Sequence, residues 1–316
     1  MLAIGTQSRG AREKQERMIA QTFSPASDPL DPPFTIFTPE TQVAPFVLCS
    51  PHSGRTYTPA FLAQSRLDPL TLRKSEDCFV DELFQGAAQL GVPMISARFP
   101  RAYLDVNREP YELDPELFAD PLPDYANCQS VRVVGGLGTI ARIVADGEEI
   151  YHSRLTVDEA LARIEKLYFP FHTALESLIE ATRAKFGHAI LIDCHSMPSA
   201  QMAQSSAPRP DFVIGDRFGA ACDPRLTRFL RDTIAAAGYD VQLNRPYAGG
   251  YITEHYGRPY RGVQAVQIEI NRARYLNEMT FVRTSGFERL QRDLTQIAGL
   301  LFPAFGPAID RPAAAE

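Results

Sequence analysis

The sequence predicts an α/β fold whose sheet is covered by helices on both faces. Short apolar runs alternate along the chain with long stretches in which apolar residues recur at three-four spacing. Two of the apolar runs, "APFVLCSPHSG" and "AILIDCHSM", are uniform enough for complete burial and then stop abruptly at polar groups that include His52 and His195. No repeat, low-complexity tract or internal linker divides the 316 residues, so one large α/β domain is expected over 34–305.

The proline-dense "SPASDPLDPP" closes an expected flexible N-terminal arm, residues 1–33, and "RPAAAE" belongs to an expected tail, 306–316. Strands are predicted at Phe46–Ser50, Val92–Ala97, Ala102–Val106, Ala189–Asp193, Phe212–Gly215 and Val263–Ile270. Helices are predicted at Asp77–Leu90, Val157–Phe186, Pro224–Ala237 and Gly286–Leu301. The proline- and glycine-interrupted stretch from Asp105 to Glu149 reads as a lid or pocket wall. Ligands of such sheets gather at the carboxyl ends of the strands, where both histidines fall.

Composition narrows the function. Hydrophobic residues at 45% and charged residues at 22% allow a sizeable core. A net charge of -6 without a basic block argues against nucleic acid as a partner. Five cysteines with no CxxC pair fit a reducing compartment better than a disulfide framework. The N-terminus lacks a signal-peptide pattern and no apolar run reaches the ~20 residues of a membrane span, so a cytoplasmic protein with no membrane partner is expected. The oligomeric state is open.

Zinc takes imidazole and carboxylate ligands and, in catalytic sites, keeps one position for water. His52 and His195 supply two such ligands, and "SEDCFVDELF" offers Glu76 or, by preference, Asp77 as a third. The competing reading has Ser75 capping a helix whose first turn carries both acids. Asp77 and Asp81 would lie one turn apart, one at the metal and one behind it. Asp193 shares a strand face with His195 and could orient an imidazole, whereas Cys49 and Cys194 should point the other way, into the core.

In "GVQAVQIEINRARY", Gln267, Glu269 and Asn271 share one strand face, so Glu269 is an acid in an otherwise buried strand. Desolvation would raise its pKa and suit it to general-base work; the alternative is an ion pair with Arg272 or Arg274. Arg55, Arg101, Arg108, Arg258, Arg261 and Arg272 cluster near the same edge and, with Asn107 and His255, are candidates for holding an anionic small molecule. Backbone amides at Gly249 and Gly250 could also meet an anion. His172 reads as a hydrogen-bonded core residue.

The blocks "SPHSGRTYTP", "SEDCFVDELF", "RFPRAYLDVNREPYEL", "YFPFHTALESLI", "LIDCHSMPS", "DFVIGDRFGAACDP" and "NRPYAGGYITEHYGRPYRGVQAVQIEINRARYLNE" resemble the N-formylglutamate amidohydrolase family from about Phe46 to Leu290. The family looks like a distant relative of zinc carboxypeptidases and aspartoacylases. The resemblance implies a three-layer α/β/α fold with a mixed central sheet, phosphorylase/hydrolase-like, and one Zn2+ per chain at His52, His195 and Asp77 or the adjacent Glu76. It matches Glu269 to the general base. Carboxypeptidases carry HxxE, but Arg55 stands three beyond His52, so the carboxylate ligand must come from elsewhere.

The implied reaction removes a formyl or other small acyl group from an acidic amino acid, giving formate and glutamate from N-formylglutamate in histidine breakdown. Arg101 or Arg108 would steady the oxyanion. The alternatives are a carboxypeptidase or peptidoglycan-type amidase acting on a larger amide, and a metal-free ligand-binding member of the fold.

Overall fold

The computed structural model describes residues 28–144, 147–199 and 210–306. The expected arm before residue 28 and the tail beyond residue 306 lie outside the described residues. Residues 28–33 pack against the domain: Leu30 is buried, and Arg98 donates to the carbonyls of Pro29 and Pro32.

Among the described residues nine strands form, β1 (Phe34–Phe37), β2 (Phe46–Ser50), β3 (Met94–Ala97), β4 (Ala189–Met197), β5 (Phe212–Gly215), β6 (Val241–Leu243), β7 (Val263–Asn271), β8 (Leu276–Asn277) and β9 (Val282–Arg283). The first seven make one mixed sheet in the order β1-β3-β2-β4-β7-β5-β6. Strands β3, β2, β4 and β7 run parallel, while β1 against β3 and β5 against β7 are antiparallel. The central β4 is buried at all nine positions, as expected of a strand with neighbours on both edges and helices on both faces.

The helices are α1 (Pro59–Gln64), α2 (Pro69–Leu72), α3 (Val80–Leu83), α4 (Gln85–Gln89), α5 (Val131–Val134), α6 (Val157–Arg163), α7 (Phe169–Phe186), α8 (Pro224–Ala236), α9 (Tyr251–Tyr256) and α10 (Gly286–Ala304). A π-helical turn at Ile164–Tyr168 joins α6 to α7, so the predicted Val157–Phe186 helix forms without a break. Strand alternation divides the core. Val47, Cys49, Leu191 and Ala265 pack with Phe171 and Leu175 of α7 on one face. Leu48, Ile192, Cys194 and Ile268 pack with α4, α8 and α10 on the other. Burial on both faces makes this a three-layer α/β/α architecture.

Three expectations change. Ala102–Val106 is not a strand: the amides of Tyr103 and Leu104 turn back to the carbonyl of Pro100, and Asp105 N–H bonds Thr139 O. The helix expected from Asp77 begins only at Val80, because Phe79 adopts a left-handed φ of 61° that helix geometry excludes. Asp77 therefore precedes the helix, and Ser75 caps nothing there; its hydroxyl donates to Leu72 O. Cys49 does not point away from Asp193: the two pair in register and share a face, whereas Cys194 faces the opposite side. Strands β1 and β6, short and at the sheet edges, had no clear periodic signal. The described residues of the Asp105–Glu149 stretch are anchored to the core through Leu113, Phe118 and Ile140, and Arg142 braces the stretch from within by bonding Asp114 at 2.7 Å.

Candidate active site

Parallel pairing sets the site. β4 and β7 place His195 opposite Glu269 and Asp193 opposite Gln267, all four side chains on one face. The turn after β2 brings in His52, and Asp77 is tied to it by its own backbone, its N–H bonding His52 O at 3.1 Å. The two imidazoles stand with ring centroids 4.9 Å apart. Asp77 Oδ2 lies 2.9 Å from His195 Nδ1 and 3.3 Å from His52 Nδ1. One ligand atom from each of these buried residues lies within 4.8 Å of the others.

Each partner is held from behind. His52 Nε2 and Asp105 Oδ1 are 2.7 Å apart, and Asp105 Oδ2 accepts from Arg101 at 2.7 Å with Arg108 at 3.5 Å. His195 Nε2 lies 2.8 Å from Asp193 Oδ1 and 3.2 Å from Asn107 Nδ2. Asp77 Oδ1 accepts from Arg272 Nη2 at 3.1 Å, and the same guanidinium donates to Ser196 Oγ and Lys74 O.

Buried charges of both signs meet here. Four buried carboxylates, Asp77, Asp105, Asp193 and Glu269, stand among three guanidinium groups, those of Arg101, Arg108 and Arg272. Burial pushes the Asp77 carboxyl up, but hydrogen bonds and charge from His195 and His52 outweigh it and hold the group well below the usual range. At Asp105, burial is likewise outweighed by the charges of Arg101 and Arg108 and by His52. Glu269 keeps the effect of burial, which pushes it up to about 7 against the pull of His195.

The donor set fits a zinc-type ion. Two imidazoles and a carboxylate are the ligand types of catalytic zinc sites, and carboxylates behind the imidazoles are the usual outer support. His52 Nδ1 is buried and, apart from Asp77 Oδ2 at 3.3 Å, makes no aligned hydrogen bond, which leaves it facing the space shared by the trio. His52, Asp77 and His195 would hold the ion.

Glu76, the other acidic candidate, is turned away: its carboxylate accepts from Tyr57 at 2.5 Å, Arg73 at 3.0 Å and the Cys78 thiol at 3.1 Å. Arg55 reaches outward to Asp81 and Glu82, so Asp81 backs an arginine and not the metal trio. Arg108 donates to the carbonyls of Leu137 and Asn107, Arg258 to those of Glu254 and Gly257, and exposed Arg261 lies over the Tyr260 ring. His255 is exposed and stacks on Tyr251. Arg272 grips Asp77, and Gly250 N–H is occupied by Gln267 Oε1 at 2.7 Å. Gly249, at φ 116°, turns its carbonyl to Arg217. His172 is part-buried against the core and bonded to Val106 O and Tyr256 OH.

The model of the family described as N-formylglutamate amidohydrolase matches residues 44–276. The chain belongs to this family. Among its relatives, the N-formylglutamate deformylase of Pseudomonas aeruginosa is 30% identical over 237 residues, covering 74% of this chain and 83% of that protein. The enzyme of the same name from Pseudomonas putida is 29% identical, with 74% and 82% covered. The crystal structure of N-formylglutamate amidohydrolase from Ralstonia eutropha JMP134 superposes with a TM-score of 0.82 at 36% identity, covering 86% of this chain and 98% of that one.

Two residues at this site escaped the sequence reading. Asp105 marked only the edge of a presumed loop, although its position between Arg101 and Arg108 signals a shared carboxylate. Gln267 was placed on the face of Glu269 without a role; its contact with Gly250 depends on a fold that spacing alone does not reveal.

Proposed function

We propose that this chain is a metal-dependent amidohydrolase that cleaves N-formyl-L-glutamate to formate and L-glutamate. The observation that carries the reading is the buried His52, Asp77 and His195 trio, open at His52 Nδ1, beside a glutamate pushed up to about 7. The names of the relatives supply the substrate, and the net negative chain with inward-facing guanidiniums suits a small anionic ligand and neither nucleic acid nor membrane.

A bound zinc ion, or another divalent metal, would supply Lewis acidity towards the formyl carbonyl and acidify water at the site. Glu269 is suited to take a proton from the attacking water as the new carbon-oxygen bond forms. It returns that proton to the amine nitrogen as the carbon-nitrogen bond breaks, so formate leaves and glutamate is released. Asp105 and Asp193 hold the imidazole rings, and Arg272 turns Asp77 so that Oδ2 faces them. Arg101, with 22% of its side chain exposed and within reach of the charges of Asp77 and Glu269, is suited to steady the developing oxyanion or a substrate carboxylate.

The test is formate release from N-formylglutamate beside N-acetylglutamate and N-formylaspartate, with and without a chelator. Chelation should abolish turnover and zinc should restore it. Undiminished activity after chelation overturns the metal role, and no release from any of the three overturns the substrate class.

A further inference from the structure

Two side-chain amides are pinned by the same short backbone segment. Ile252 N–H donates to Asn107 Oδ1 at 2.7 Å, and Gly250 N–H donates to Gln267 Oε1 at 2.7 Å. With both carbonyl ends fixed by backbone donors, both NH2 groups must face the site. Asn107 Nδ2 reaches His195 Nε2 at 3.2 Å, and Gln267 Nε2 donates to Glu269 Oε1 at 2.9 Å. Among the described residues, that amide is the only hydrogen-bond partner the structure gives the Glu269 carboxylate.

The segment has little freedom to drift. A Cβ on Gly250 would come within 2.4 Å of Asn107 Nδ2, so only glycine lets the start of α9 approach this closely. Arg217 fastens the segment from outside, donating to Gly249 O at 3.2 Å and pairing with Glu254 at 2.7 Å. From within, Thr253 donates to Asp193 Oδ2 at 3.1 Å. Gln267 itself is only 3% exposed.

We infer that Gln267 is a positioning residue for the general base: it transmits the fixed place of Gly250 N–H to one oxygen of Glu269 and leaves the other to meet the reacting water. The role needs an acceptor and a donor in one side chain, and of the two only the donor touches Glu269. Glutamate at 267 would keep the first and lose the second. Leucine would lose both while filling similar space. Neither change touches His52, Asp77 or His195. A base displaced by about 1 Å costs on the order of a hundredfold in rate without a matching loss of substrate binding.

This inference rests on the reading of Glu269 as the base, so its test carries two readouts. In the full-length zinc-loaded protein with N-formylglutamate, Gln267→Glu and Gln267→Leu should each lower kcat at least tenfold, leave KM within about threefold and leave zinc content unchanged. A lowered melting temperature with unchanged kcat marks a merely structural residue and overturns the inference. The second readout is the crystal structure of either variant. A Glu269 carboxylate displaced by about 1 Å or more supports the inference, and an unmoved one overturns it, whether or not the parent protein releases formate. A parent that releases none overturns the substrate assignment alone.

Discussion

Replacing Asp105 with asparagine separates the support of His52 from the chemistry. Oδ1 of Asp105 serves His52 Nε2 and the Asn107 amide, at 2.7 and 2.8 Å, and asparagine can keep a carbonyl there. What is lost is the charge: an NH2 group then faces Arg101, where Oδ2 accepted at 2.7 Å, and Arg108 at 3.5 Å loses its counter-charge. Loss of a carboxylate behind a metal-binding imidazole weakens metal affinity by about 10- to 100-fold, equivalent to about 1.4–2.7 kcal/mol. The broken charge-assisted bond to Arg101 lowers the stability of the metal-free protein by about 1–2 kcal/mol, the low end of its class because that guanidinium reaches solvent. Competition against a fluorescent zinc chelator measures the first quantity, and denaturant titration of the chelated protein measures the second. A folded Asp105→Asn protein that binds zinc within twofold of the parent refutes the assignment of Asp105 as the support of a metal-binding His52.

Glu269→Gln should keep its zinc and lose most turnover; near-normal formate release would reassign the base. Because Glu269 must be ionised to accept a proton and is pushed up to about 7, kcat/KM should fall about tenfold per pH unit below about 7, and a profile flat from pH 5 to 8 would contradict it. Burial pushes His172 down to about 4, so its ring stays neutral in the folded protein while the unfolded chain protonates near pH 6.5. Its contribution is whole above about pH 6.5 and is lost as pH falls towards 4, up to about 3 kcal/mol; His172→Gln should flatten stability-versus-pH curves in that window. Leu191→Ala, in the middle of β4 and fully buried, should cost about 2–5 kcal/mol in denaturant unfolding, and a loss below about 1 kcal/mol would contradict its core placement.

The layered fold was legible because buried strands and amphipathic helices leave unmistakable periodicities, and the two histidines because they end such strands. Val157–Phe186 could be read almost to the residue. Ala102–Val106 could not: its apolar letters describe burial, and burial in a turn looks the same as burial in a strand. The choice between Glu76 and Asp77 was likewise beyond spacing, since adjacent residues diverge here according to the left-handed turn at Phe79 and the pull of Arg73 and Tyr57 on one and of Arg272 on the other. The arginines were the least legible. A guanidinium near a site in sequence can serve a backbone carbonyl, as Arg258 does, or the surface, as Arg55 does.

The strand order has a consequence for how the polypeptide is made. β4 sits between β2, synthesised long before it, and β7, which leaves the ribosome some seventy residues later. Until then β4, apolar from Ala189 to Ile192, has one margin of amides and carbonyls unmatched, the kind of template that recruits neighbouring chains. Emergence and pairing of β7 therefore both cover that margin and bring Glu269 opposite His195, so one strand closes the sheet and completes the site.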